Sequence, residues 1–130
     1  MKKHYIDIVG KWAIIFAYNI SPDDFDEVKS WLYALGASER DLAHVGEVLE
    51  KENTGFTISN PELKMSVMCV GQASDESQWW DSLVHEIDHA QTAIMEHYDV
   101  DCGSEEAAYL QGYIMRRIIR VLKIDGQILD

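Results

Sequence analysis

His85-Glu86-Ile87-Asp88-His89 sets two imidazoles four positions apart, with a carboxylate beside the first. On an α-helix turning about 100° per residue, His85 and His89 stand ~40° apart around the axis and one turn apart along it. Two imidazoles in that relation can each give a nitrogen to the same tetrahedral ion, at Zn–N distances near ~2 Å and without backbone strain. Glu86 is not needed as a ligand. It projects to the side, where it can reach a water on the ion and act as general base. The chemistry this spacing offers is zinc-assisted hydrolysis.

That chemistry needs a helix, and the surrounding residues predict one over 77–97. Leu83, Ile87, Ala90 and Ile94 recur at helical spacing and form its apolar stripe. His85 and His89 point almost opposite to the stripe, alongside Thr92 and Glu96. Residues 99–104 read as a turn, and a last helix is predicted over 105–122.

Earlier in the chain, residues 5–9 and 14–20 are apolar and β-compatible, with Gly10-Lys11 between them, which predicts a hairpin or one long strand. Ser21-Pro22-Asp23-Asp24 is a helix start, with a serine cap, a first-turn proline and acids at the positive end of the dipole. Phe25, Val28, Trp31, Leu32 and Leu35 follow at helical spacing, and Gly36 ends the run. Ser38 starts a second helix with Leu42, Val45, Val48 and Leu49 on one face. Asn53-Thr54-Gly55 is a turn, 56–58 a short strand, and 64–70 a further strand before a polar loop. This order predicts a mixed α+β domain with a small sheet, one domain over 1–130.

Composition narrows the partners. The formal net charge is −12, which disfavours nucleic acid and anionic membrane surfaces, both polyanions. No run is long enough to span a bilayer. The apolar stretch after the N-terminus is interrupted by Asp7 and Lys11 and lacks a small-residue cleavage site, so it does not read as a signal peptide. Cys69 and Cys102 lie far apart in no paired spacing. The expectation is a cytoplasmic protein with both thiols reduced. An exposed sheet edge would allow a dimer, and nothing in the sequence requires one.

Residues 82–90, Ser-Leu-Val-His-Glu-Ile-Asp-His-Ala, resemble the active-site helix of the zincin metallopeptidases. The later Glu105-Glu106-Ala107-Ala108-Tyr109-Leu110 resembles the glutamate-bearing helix of the gluzincin branch. Small proteins of this kind, often from phage or mobile elements, share a Glu-x-x-Ala-Tyr pattern that Glu105, Ala108 and Tyr109 match. The resemblance covers roughly the second half of the chain. It implies a zincin-like α+β domain whose small mixed sheet packs on the His-Glu-x-x-His helix and on the glutamate-bearing helix that follows. It implies a zinc metallopeptidase acting on peptides or proteins, with Zn2+ held by His85, His89 and Glu105, and Glu86 as the general base. It further implies a strand just before the active-site helix whose edge pairs with substrate, a place taken by residues 65–70. The chain departs from the family in the charged Asp88 and in lacking length for a second lobe.

Glu105 and Glu106 both sit in the first turn after Ser104, where the helix dipole favours carboxylates in any case. Family spacing selects Glu105, on a face with Tyr109, Gly112 and Arg116. Helical phase puts Glu106 nearer Leu110, Ile114 and Val121. Glu105 is the expected third ligand. Tyr109 or Tyr113 could assist an oxyanion, although tyrosines at this spacing more often pack. Trp79-Trp80 reads as core packing with a partly exposed ring, and His4, His44 and His97 have no metal spacing. Two other functions compete with the peptidase: a zinc-binding interaction module without turnover, and an acidic decoy or inhibitor whose charge mimics nucleic acid.

Overall fold

A computed structural model describes residues 3–128; Met1, Lys2, Leu129 and Asp130, which the single-domain expectation also covers, lie outside them. Strand β1 (His4–Ile8) turns into β2 (Trp12–Ile20) through Val9 and Gly10, at φ 46° and 72°. Lys11 N–H closes the turn on the Ile8 carbonyl at 2.9 Å. Two successive positive φ values twist a tight hairpin in the sense its strands need. Gly10 adopts this freely, whereas the β-branched Val9 is strained there. The hairpin is the first of the two forms expected for this segment.

The chain then runs through a 3-10 turn (Pro22–Asp24) into α1 (Phe25–Leu35), which Gly36 ends in the left-handed conformation at φ 86°. Helix α2 (Glu39–Leu49) opens on the Ser38 hydroxyl, which accepts the Asp41 N–H. Strands β3 (Gly55–Asn60) and β4 (Met65–Gly71) follow, then α3 (Glu76–Tyr98) and α4 (Glu105–Ile124). The sheet order is β1-β2-β4-β3, with β2 and β4 parallel and the outer pairs antiparallel. The domain is α+β, with a four-stranded mixed sheet.

Side-chain alternation divides the core between the two faces of the sheet. Ile6, Ile14, Phe16, Met68 and Val70 pack with Leu83, Ile87, Ile94, Ile114 and Ile118 of α3 and α4. Ala17, Val67, Cys69 and Phe56 pack on the other face with Val28, Leu32, Val45 and Leu49 of α1 and α2. The predicted α3 stripe, Leu83, Ile87, Ala90 and Ile94, is buried.

One expectation is corrected. Residues 65–70 do not form the edge strand beside the His-Glu-x-x-His helix, because β4 is central and β3 is the edge. The reason lies in the side chains. Apart from Ser66, β4 is apolar toward both faces, as a strand covered on both sides must be, whereas β3 carries Thr57, Ser59 and Asn60. Among the described residues, no helix is long and apolar enough to cross a membrane.

Candidate metal centre

Helix α3 begins at Asp75, whose carboxylate accepts the Gln78 N–H, and its apolar stripe lies against β3 and β4. That stripe fixes the rotation of the helix. His85 and His89 emerge on the exposed side, and Glu86 turns inward and is only 4% exposed. The two imidazoles stand edge to face, with Nε2 atoms 3.1 Å apart. Ligands about 2.0–2.1 Å from one tetrahedral ion lie about 3.3 Å from each other, so this nitrogen pair suits a shared zinc.

Glu86 fills a space prepared by β3. The Thr57 hydroxyl donates to Glu86 Oε1 at 2.9 Å and lies 3.2 Å from the Glu86 carbonyl oxygen. Gly55 leaves room for the carboxylate: a Cβ there would stand 3.0 Å from Glu86 Cγ and 3.3 Å from Oε2. Burial pushes the Glu86 carboxyl above the usual carboxylate range, while the Thr57 hydroxyl and the imidazoles of His85, His89 and His44 pull it back. Beside Glu86 runs a groove of about 260 Å³, lined by Asn53, Thr54, Gly55, Asp81, Ser82 and His85. An acid held above its ordinary pKa, in a groove and next to two convergent imidazoles, has the makings of a proton acceptor.

Glu105 lies in the first turn of α4, exposed, and accepts a long hydrogen bond from the Tyr109 hydroxyl at 3.3 Å. The Gln91 side chain, two positions beyond His89, donates to the Ala107 carbonyl at 3.0 Å and draws the start of α4 alongside the middle of α3. Among the described residues, no third His, Cys, Asp or Glu joins the imidazoles in a group able to hold a metal ion. Glu106 faces another way. It borders a hollow formed with Ile8, Trp12, Ile94, Tyr98 and Leu110, on the hairpin side of the helix. Asp88 is exposed. Of the tyrosines considered for an oxyanion, Tyr109 is 69% exposed. Tyr113 instead directs its hydroxyl to the Asp7 carbonyl at 3.4 Å.

Three residues at this site had no advance signal of a role. Gly55 was visible only as part of a turn. Thr57 is polar between Phe56 and Ile58, and nothing local in the sequence indicates that α3 covers that side of the strand. His44, on the neighbouring α2, acts on Glu86 through space.

No family model matches the chain, no curated protein matches it in sequence, and no solved structure matches it in fold.

Proposed function

We propose that this protein is a zinc-dependent metallopeptidase with a zincin-like domain of the gluzincin type, working in the cytoplasm on peptide or protein substrates. The observation that carries the reading is the 3.1 Å His85–His89 nitrogen pair with a buried carboxylate, Glu86, on the same helical turn. His85 and His89 would hold the zinc. Glu105 is the third ligand in this reading, and its carboxylate is committed only to one long bond from Tyr109. When bound, zinc supplies Lewis-acid chemistry, polarising a carbonyl and acidifying water.

The remaining work falls to the chain. Glu86 receives the proton of the attacking water on its carboxylate, and desolvation raises its affinity for that proton. Thr57 holds the carboxylate in one orientation, so it need not reorganise during the reaction. The free side of β3 offers backbone groups to an extended peptide, as an edge strand does in β-augmentation.

A second reading, a zinc-binding module without turnover, is favoured by one observation: no third ligand stands with the imidazoles among the described residues. Metal content of the purified protein, measured by elemental mass spectrometry beside His85→Ala and Glu105→Ala, tests the site. About one zinc per chain, lost in both variants, is the expected result. Zinc lost only with His85→Ala would remove Glu105 from the ligand set. Absence of zinc from the wild type after reconstitution would leave an acidic interaction protein.

A further inference from the structure

The N-terminal end of α3 borders a second hollow, distinct from the His85 groove. It holds about 560 Å³ and is walled by Asn19, Glu76, Trp79 and Trp80, with Leu122 and Ile128 on its apolar side. That volume falls in the range of small-molecule sites. An adjoining hollow of about 550 Å³ shares Asn19, Glu76 and Trp79 and adds Asp75. Neither lining contains a lysine or an arginine.

The two indoles meet edge to face, with centroids 5.1 Å apart and planes at 88°. Tyr18 stands edge to face against Trp79 as well, at 6.0 Å and 86°. Rings at right angles present their electron-rich faces in two directions, and such faces attract cations. Glu76 adds a carboxylate whose one described hydrogen bond, from Trp80 Nε1, is long at 3.4 Å. In the adjoining hollow the Asp75 carboxylate is taken up by the Gln78 N–H and the Ser77 hydroxyl, which hold it below the usual carboxylate range. An anionic ligand in the first of these hollows would meet the Glu76 carboxylate and no cationic side chain. A purely apolar ligand would leave the Glu76 carboxylate unused.

We propose that this hollow binds a small organic cation, an alkylated ammonium group. The ammonium rests against the indole faces beside Glu76, and its alkyl groups lie toward Leu122 and Ile128. The net charge of −12 concentrates such cations around the protein.

Tryptophan fluorescence reads the site directly. The full chain is titrated with choline, with its uncharged isostere 3,3-dimethylbutan-1-ol, and with N-acetyl-lysine methylamide. Saturable binding of choline, at least about tenfold tighter than the isostere and weakened several-fold in Glu76→Gln with an unchanged helical spectrum, is the expected result. Trp80→Leu, followed by calorimetry, should lose the same binding. Choline tighter than the lysine derivative assigns a free ammonium ion, and the reverse order assigns a protein side chain. Equal binding of the isostere, an unsaturating response to choline, or an unchanged affinity in Glu76→Gln overturns the proposal.

Discussion

Gly55→Ala tests how closely β3 is fitted to β4 and to Glu86. A Cβ added at Gly55 would stand 2.6 Å from the carbonyl oxygen of Cys69 and 3.0 Å from Glu86 Cγ, where ordinary contact begins at 3.4 Å. The Cys69 oxygen is main chain in the central strand, and Cys69 is fully buried, so the oxygen has nowhere to retreat. Overpacking of this kind costs about 1–3 kcal/mol. Removing a glycine from the unfolded chain returns about 0.4–1 kcal/mol. A net loss of about 1–2 kcal/mol should remain. Urea unfolding of the zinc-free protein is the assay, because bound metal would add its own linkage. With a mid-range slope of about 2 kcal/mol/M, the midpoint should fall by roughly half to one molar. Gly112→Ala is the matched control. Its Cβ meets nothing nearer than the mobile Arg116 Nη1 at 3.6 Å, and it sits inside α4. There the same chemical change should stabilise by about 0.5–1 kcal/mol. Opposite shifts from the two substitutions are expected. A Gly55→Ala midpoint at or above that of the wild type would refute the close approach of β3, and with it the seating of Glu86.

Two further outcomes follow from one half-buried group and one buried group. The Tyr18 hydroxyl donates to Asp125 Oδ2 at 2.7 Å, and burial, then that bond and the Asp125 charge, push its pKa from 10.0 up to about 12. A raised folded-state pKa means the stabilisation is complete below pH 10.0 and is lost as pH climbs through about 12. Tyr18→Phe should therefore be less stable than wild type by about 1–2 kcal/mol near neutral pH, and chemical denaturation should show that gap closing only in strong alkali. Thiol titration should find Cys102, which is exposed, modified rapidly in the native protein. Cys69, whose thiol burial pushes up, should react only on unfolding. Equal rates at the two cysteines would contradict the placement of Cys69 between the sheet and α1–α2.

Elements that carry their own periodicity were legible in the sequence. The stripe of Leu83, Ile87, Ala90 and Ile94 turned α3 correctly and put both imidazoles on the opposite face, which the structure shows exposed. Gly10, Gly36, Ser38 and Ser104 mark local ends whose geometry depends on near neighbours. What stayed hidden depends on distant partners. His4 and Tyr18 both meet Asp125, at separations of 121 and 107 residues, and no local pattern announces either contact. Trp12 donates to the buried Ser66 hydroxyl across 54 residues in the same way. The order of β3 and β4 also turned on tertiary coverage, because an apolar run reads alike whether it is central or flanks a site. At the candidate centre, the His85–His89 pair was legible because one helical turn relates its members. The seat of Glu86, made by Thr57 and Gly55 from another strand, was not.

The central claim is that Glu86 moves a proton in zinc-dependent peptide hydrolysis. Its most direct test compares zinc-loaded wild type with zinc-loaded Glu86→Gln on a mixed peptide library, with cleavage read by mass spectrometry and zinc content read on the same samples. The account expects wild-type cleavage that a chelator stops, and a Glu86→Gln variant that keeps its zinc and loses at least about a hundredfold in rate, the usual worth of a general base. Cleavage unchanged by the substitution, or no cleavage by a fully zinc-loaded wild type, would contradict it.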